Sequence, residues 1–194
     1  MNFQGDCQNK TDNELVKLSL KDPEWYGCLM QRYESKLSRY IYRISGLNTE
    51  DAEDLLQEIF LTVYRNLNDF DQDLKFSSWI YRITHNKVIS HHRKVKARAQ
   101  QINGEEGEKI LSFIKDDTDL AELVNDRITG EVLSRVMGKV DEKYREVLIL
   151  RYLEEKDYNE ISDILKKPPS TIGTLLSRAK KNMHEIIKKE NIKL

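Results

Sequence analysis

The side chains best suited to chemistry lie in residues 74–104, a stretch with seven basic residues and no acidic residue. His85, His91 and His92 in this stretch could bind a divalent metal ion if carboxylates stood beside them. There is no HExxH-like spacing, however, and the nearest acids flank the stretch without entering it. The sequence therefore predicts nucleic-acid binding without catalysis, and a metal-dependent nuclease is the alternative.

Cations and flat rings share one side of the helix that this stretch predicts. At about 100° per residue, an apolar stripe that includes Trp79 lies on one side, where Trp79 is expected to join the core. The opposite side holds Ser78, Arg82, His85, His92 and Arg93. Such a surface is suited to a single strand, because it binds the backbone electrostatically while unpaired bases stack or enter pockets.

Charge is segregated along the chain, although its net value is only −1. Residues 1–73 have 8 basic and 14 acidic side chains, 74–104 have 7 and 0, 105–131 have 3 and 9, and 132–194 have 14 and 10. Each Lys or Arg placed near a nucleic-acid backbone releases condensed counterions, so the acid-free block predicts phosphate binding. A solvated basic face without a ligand is the simpler alternative.

A second constellation, YNEISDILKKPPSTIGTLLSRAKK, has the spacing of a helix-turn-helix at residues 158–181. Pro169 suits the first turn of the second helix, since its missing N–H has no partner there in any case. The outer face of that helix would present to a major groove Ser170, Thr171, Gly173, Thr174, Ser177 and Arg178, with Lys180 and Lys181 at phosphates. A helical hairpin inside a core is the alternative.

The elements that position these surfaces are predicted to be helices. Thr11 and Glu14 have the spacing of a capping box, and Gly46 marks the end of a later helix. The next helix has a buried stripe at i, i+3, i+4, i+7 spacing, made of Ala52, Leu55, Leu56, Ile59, Phe60, Val63, Tyr64 and Leu67. Together with the helix that begins near Phe76, these segments predict a helical bundle over residues 10–98.

Periodicity stops between the two constellations. Residues 99–131 contain two glycines and many acids, which is typical of a flexible linker, and an apolar cluster around Phe113 that could dock elsewhere. Helical periodicity returns over residues 132–190. The predicted fold class is all-α, with two helical domains joined by a flexible acidic linker, and no strand pattern is present.

Composition excludes several classes of protein. No apolar run approaches the roughly 20 residues of a membrane span, and the first ten residues lack the apolar core of a signal peptide, so a cytoplasmic location is expected. Cys7 and Cys28 form no CxxC pair and are too few for a disulfide framework. Both are predicted to be reduced thiols without a special role.

Four strings resemble the extracytoplasmic-function (ECF) class of sigma-70 family RNA polymerase sigma factors: DAEDLLQEIFLTVYRNL, FSSWIYRITHN, YREVLILRYLEEKDYNEISDIL and STIGTLLSRAKK. Their order and spacing make the match specific, and it covers about residues 11–188. The resemblance implies a sigma-two domain at 10–98, a linker at 99–131 and a sigma-four helix-turn-helix domain at 132–190. It also implies a factor for promoter-specific initiation, commonly in a stress or envelope response, with no catalysis, cofactor or metal.

The resemblance also implies three binding surfaces and a regulator. Core RNA polymerase would bind Asp51, Glu53, Asp54, Gln57 and Glu58. The minus-ten promoter element would be recognised and melted by Arg82, His85, Asn86, His92 and Arg93. The minus-thirty-five element would be read by Ser170, Thr171, Thr174, Ser177 and Arg178, with Lys180 and Lys181 on the DNA backbone. An anti-sigma factor, often bound to the membrane, commonly holds such proteins inactive.

The chain departs from the family pattern at two places. Where the family usually has a TVKSR-like run, this chain has Thr171-Ile-Gly-Thr-Leu175, which lacks two basic side chains and places Gly173 inside a helix at a cost of roughly 1 kcal/mol. Ser90 stands where the family commonly has Asp. A free-standing helix-turn-helix regulator is a further alternative, although no heptad seam for the usual dimer is present.

Overall fold

The computed structural model describes residues 7–101 and 135–189, which are helical and contain no strand. The N-terminal part comprises α1 (Asp12–Ser19), α2 (Tyr26–Ser45), α3 (Thr49–Arg65) and α4 (Phe76–Gln101), with 3-10 turns at Pro23–Trp25 and Leu67–Asp69. The C-terminal part comprises α5 (Glu142–Leu148), a π-helical turn (Ile149–Leu153), α6 (Tyr158–Leu165) and α7 (Pro169–Lys189). The predicted all-α fold is confirmed for these residues.

Local chemistry at the helix ends matches the sequence. Thr11 Oγ1 accepts the amide of Glu14 at 3.3 Å, and the Glu14 carboxylate accepts the Thr11 amide at 2.7 Å, which is the predicted capping box. Gly46 ends α2 in the left-handed conformation, with a φ of 63° that glycine adopts without strain. Asn48 then caps α3 by accepting the amide of Asp51 at 2.9 Å.

The N-terminal bundle is held together by the apolar stripes of α2, α3 and α4. Tyr40, Ile59 and Ile80 are fully buried at its centre. Phe70, Phe76 and Trp79 form an aromatic cluster with ring centroids 5.3–5.6 Å apart, so Trp79 belongs to the core as expected. One residue of the predicted buried stripe of α3 is exposed: Tyr64 is 41% exposed, and its ring packs against that of Tyr26.

The C-terminal domain is built around α7. Its buried side chains Ile172, Leu176 and Ala179 pack against α5 and α6, which contribute Val147, Ile161 and other apolar residues. Asp157 caps α6 in a second capping box, in which it accepts the Glu160 amide at 2.8 Å. The domain packs directly on α4 of the N-terminal bundle, a contact that the sequence did not predict. From residue 102 onward, the predicted linker and its cluster around Phe113 lie outside the described residues.

The prediction for the two cysteines was wrong. Cys7 and Cys28 form a disulfide, with Cα atoms 5.4 Å apart. The segment before α1 folds back over the start of α2, where Arg32 donates hydrogen bonds to the carbonyl oxygens of Cys7 at 2.7 Å and Lys10 at 2.8 Å. The two cysteines are 21 positions apart in the sequence, so no short motif such as CxxC marks the pair. Tertiary packing brings the two side chains together.

Replacement of Ile59 by alanine should lower the free energy of unfolding by about 2–5 kcal/mol, because the side chain is fully buried and leaves a cavity. Leu61→Ala is the matched control on the same helix. Its side chain is 55% exposed, so the change should stay within about 0.5 kcal/mol. Urea unfolding followed by circular dichroism measures both, and equal losses would contradict the orientation of α3.

Candidate nucleic-acid interface

The acidic residues of α3 form one exposed surface. Because apolar residues recur at helical spacing and are buried against α2 and α4, the opposite side of the helix is left in solvent. The exposed side carries all five residues predicted for polymerase binding: Asp51, Glu53, Asp54, Gln57 and Glu58. Glu58 also lies 3.6 Å from Lys87 Nζ on α4, so this acid contacts a cation of its own domain.

Two apolar side chains extend this acidic surface. Leu61 and Tyr64 lie one turn further along α3 and are among the most exposed large apolar residues described. Leu61 is an apolar residue of α3 that does not belong to the predicted buried stripe. Its position off the stripe is a sequence signal that could have identified it as an exposed apolar side chain. Apolar area beside a charged edge is typical of the centre of a protein interface.

The polar side of α4 is divided into two strips. Arg82 is half-buried, while Asn86 and Arg93 are exposed, and these three residues remain accessible. The other strip faces the C-terminal domain and includes Ser77, Tyr81 and His85. Ser78, which was expected on the polar surface, is buried. The predicted minus-ten surface is therefore only partly open in this structure.

His85 and His92 differ from the accessible residues of that surface. His85 Nδ1 lies 2.5 Å from Glu146 Oε1 on α5, at the distance of an ion pair but without the angle of a hydrogen bond. His92 is half-buried, and burial lowers its pKa below 6.5, with a smaller contribution from the charge of His91. The carboxylate of Glu142 acts in the opposite direction. An acid of the C-terminal domain thus lies beside His85, and another acts on the pKa of His92.

The helix-turn-helix places its second helix on the surface. Lys166 ends α6 in the left-handed conformation with a φ of 53°, and the turn is fixed by a 2.6 Å hydrogen bond from Ser162 Oγ to the Lys167 carbonyl. Pro169 begins α7, as predicted. All residues predicted to reach the minus-thirty-five element are exposed on α7: Ser170, Thr171, Thr174, Ser177, Arg178, Lys180 and Lys181.

Two family models match the two domains. Sigma-70 region 2 matches residues 29–98, and Sigma-70, region 4 matches residues 130–183. The chain is 32% identical over 169 residues to the ECF RNA polymerase sigma factor SigW of Bacillus subtilis, covering 84% of this chain and 89% of that protein. The chain belongs to the ECF class of sigma-70 family sigma factors. This membership argues against the two alternative interpretations of the sequence, a metal-dependent nuclease and a free-standing regulator.

Other relatives and solved structures agree with this membership. The ECF RNA polymerase sigma-E factor of Escherichia coli is 27% identical over 177 residues, covering 88% of this chain and 91% of that protein. The fold is similar to CnrH in complex with the cytosolic domain of CnrY, with a TM-score of 0.66, 20% identity and coverage of 92% of this chain and 97% of that chain. It is also similar to the sigma factor RpoE in complex with the anti-sigma factor NepR from Bartonella quintana, with a TM-score of 0.59, 17% identity and coverage of 82% and 96%.

The described residues contain neither a membrane-spanning helix nor a cluster of metal ligands. None of the described helices of this sigma factor is long and apolar enough to cross a membrane. Within residues 7–101 and 135–189, no group of three or more His, Cys, Asp or Glu side chains is placed to hold a metal ion.

At Gly173, where the chain departs from the family pattern, the structure has room for a side chain. A Cβ atom built there would meet only the Tyr158 ring, at 3.6 Å, which is an ordinary van der Waals contact. Gly173→Ala should therefore raise the free energy of unfolding of this sigma factor by about 1 kcal/mol, because alanine has the higher helix propensity. Thermal unfolding measures the gain, and Gly27→Ala, within α2 and also without a clash, is the control that should show a similar gain.

The pKa of His92 in the folded sigma factor should lie below 6.5 when its ring protons are followed by NMR. The unfolded chain takes up this proton at a higher pH than the folded chain. The stability contributed by the neutral ring is therefore lost as the pH falls below 6.5. Glu142→Gln should lower the pKa further, since it removes a carboxylate that raises it. A pKa above 6.5 in the native protein would contradict the burial of this ring.

Proposed function

We propose that this sigma factor binds core RNA polymerase with the exposed side of α3 and engages promoter DNA with α4 and α7. The observation that supports the proposal most directly is that three separate polar surfaces lie on a helical scaffold, those of α3 and α7 exposed and that of α4 partly open. One surface is acidic and two are basic, and they lie on different helices. A protein with these surfaces would act by bringing a larger enzyme to DNA.

Polymerase binding is assigned to Asp51, Glu53, Asp54, Gln57 and Glu58, with Leu61 and Tyr64 added from the structure. The acidic edge would steer the protein toward a basic partner and set its register. The two exposed apolar side chains would add buried area at the centre of the contact, where charged residues are unfavourable. Asp51 lies in the first turn of α3, where a carboxylate also favours the helix dipole.

Recognition and melting of the minus-ten element is assigned to Arg82, His85, Asn86, His92 and Arg93. Arg82, Asn86 and Arg93 form the accessible strip of α4, which suits a single-stranded backbone with unstacked bases. His85 and His92 would join this surface once the C-terminal domain has moved away from α4.

Recognition of the minus-thirty-five element is assigned to the exposed side of α7. Ser170, Thr171 and Thr174 lie in its first turns, where a recognition helix contacts base edges. Thr174 Oγ1 already donates to the Ser170 carbonyl at 3.0 Å, so its hydroxyl is oriented and can still accept a hydrogen bond. Ser177 and Arg178 would continue this contact, and Lys180 and Lys181 would bind phosphates.

We further propose that this sigma factor is regulated by an anti-sigma factor and is located in the cytoplasm. It is proposed to have no catalytic activity and no cofactor. Two proteins of similar fold were solved in complexes, CnrH with the cytosolic domain of CnrY and the sigma factor RpoE with the anti-sigma factor NepR. A protein that works through polymerase and DNA needs neither a cofactor nor a small-molecule substrate. The predicted anti-sigma factor would have to cover surfaces of α3 or α4 that polymerase and promoter need.

Run-off transcription with bacterial core polymerase and a library of genomic DNA fragments tests the proposal. New start sites should appear only when this protein is added. If it neither binds core polymerase nor changes the start sites, the proposed function is wrong.

The double substitution Arg82→Ala/Arg93→Ala should impair promoter opening, detected with permanganate, by at least about tenfold while core binding persists. The reason is that both cations lie on the strip assigned to the melted strand. The variant Lys17→Ala/Lys21→Ala removes the same charge from exposed positions at and just beyond α1 and should open promoters normally. Equal losses of opening and core binding in the first variant would contradict the assignment of this surface.

A further inference from the structure

Two cysteines that lie outside the proposed binding surfaces meet at the start of α2. Cys7 belongs to the segment before α1, and Cys28 is the third residue of α2. The disulfide between them ties that segment to a helix of the N-terminal bundle. The two residues are only 8% and 3% exposed. Neither is assigned to polymerase or to DNA, so the proposed function leaves the pair without a role.

The contacts that bring the two cysteines together do not depend on the bond between their sulfur atoms. Arg32, one turn after Cys28 on α2, donates to the carbonyl oxygens of Cys7 at 2.7 Å and Lys10 at 2.8 Å. It also donates to Asp12 Oδ1 at 2.6 Å, at the first residue of α1. After reduction these hydrogen bonds would still hold the Cα atoms near their separation of 5.4 Å, which is within the range of a disulfide. The bond can therefore open and close on a folded protein.

The surroundings of Cys28 favour its thiolate form. The residue lies in the first turn of α2, where free backbone amides and the helix dipole stabilise negative charge. The Arg32 guanidinium lies on the same side of the helix, four residues further on. The acid of this cluster, Asp12, is bound by Arg32 and by the Tyr33 hydroxyl at 2.5 Å. Because the thiolate is the form that attacks peroxides and disulfides, Cys28 is suited to be the reactive partner.

An open cleft gives reagents a path to this pair. The cleft has a volume of about 400 Å³ and is lined by Cys7, Gln8, Cys28, Gln31 and Arg32. Three of these five side chains are polar or charged, so the cleft suits a small hydrophilic reagent. Its size admits hydrogen peroxide or the end of a thiol side chain. The sulfur atoms can thus be reached although both cysteines are nearly buried.

The location proposed for this sigma factor also bears on the bond. In the cytoplasm thiols are kept reduced, and the disulfides that do form there are usually transient and respond to oxidants. A cytoplasmic protein would therefore hold Cys7 and Cys28 as thiols at rest and as the disulfide of this structure after oxidation. This step of the inference rests on the cytoplasmic location given under the proposed function.

We propose that Cys7 and Cys28 form a redox modification site, which a peroxide closes and a dithiol reopens. The Cys28 thiolate attacks one peroxide oxygen, the O–O bond breaks, and a sulfenic acid forms while the other oxygen leaves as water. The Cys7 sulfur then attacks the sulfenic sulfur, forms the S–S bond and displaces a second water. Two thiols and one hydrogen peroxide thus give one disulfide and two waters, with two electrons passing from sulfur to oxygen. A dithiol reverses the change by exchange and becomes a disulfide itself.

The closed bond supports the end of α3 that carries apolar side chains for polymerase. Tyr26, two residues before Cys28, donates to the Phe60 carbonyl at 2.7 Å, and its ring lies 5.0 Å from that of Tyr64. A bond between residues 21 positions apart also restricts the unfolded chain. Oxidation should therefore stabilise the N-terminal bundle on the side where Tyr64 is exposed.

Thiol chemistry of the full-length protein tests the site. After treatment of reduced protein with one equivalent of hydrogen peroxide, iodoacetamide should label neither cysteine, and mass spectrometry should find the peptides of Cys7 and Cys28 joined. The chain should remain a monomer on a non-reducing gel, and thioredoxin should restore both thiols in the native protein. A cross-linked dimer, a sulfinic acid in place of the bond, or a bond that thioredoxin does not open would overturn the proposal.

The positioning role of Arg32 is tested by rates. Arg32→Ala should slow closure of the bond by peroxide at least about fivefold, because both the thiolate and the approach of the segment lose support. In a Cys7→Ser background the same change should slow alkylation of Cys28, and Arg32→Lys should restore that rate. Lys36→Ala removes an exposed cation two turns beyond Cys28 and should leave both rates unchanged. Equal rates in Arg32→Ala and Lys36→Ala would overturn this role.

Thermal unfolding tests the effect of the bond on the fold. The oxidised protein should unfold at a temperature roughly 5–10 °C above that of the reduced protein. The Cys7→Ser/Cys28→Ser variant should unfold at one temperature with and without peroxide. Equal unfolding temperatures of the oxidised and reduced protein would overturn the stabilising effect. None of these measurements uses polymerase or DNA, so their failure leaves the proposed function standing, and a failure of start-site selection leaves the thiol results standing.

Discussion

A single constraint on α4 organises this sigma factor: the helix must bury one side in the N-terminal bundle and still keep a cationic side for the contact with nucleic acid that we propose. Phe76, Trp79 and Ile80 satisfy the first requirement, because they join the aromatic and aliphatic core. The second requirement leaves a helix without any acid of its own. In this structure, acids of the C-terminal domain lie beside that side of the helix.

The buried Glu154 carboxylate shows how this neutralisation becomes specific. Exposed ion pairs such as Lys75 with Asp157 are screened by solvent and contribute little. The pair of Glu154 with Arg43 is excluded from solvent, so removal of one partner would leave a buried charge. The domain arrangement therefore depends on this contact more than on the surrounding surface pairs. The acidic side of α3, which we propose binds polymerase, faces solvent and does not take part in this contact.

Much of the fold and part of the candidate site followed from the sequence. The capping box at Thr11, the helix end at Gly46 and the buried stripe of α3 depend on neighbours within a few residues, so local pattern predicted them. The exposed residues of α7 were predicted for the same reason. Tyr64 and Ser78 were placed on the wrong sides, because Tyr64 lies at the margin of its stripe and Ser78 is covered by tertiary packing.

The sequence by itself determined the helical elements, the family and the separation of acidic and basic surfaces. Only the tertiary structure decided which of those surfaces are open, that Cys7 meets Cys28, and that Arg43 meets Glu154 across 111 positions of the chain. The physical reason is that helical periodicity records whether a side of a helix is apolar or polar. It does not record which distant group covers a polar side, because that depends on how separate helices pack in space.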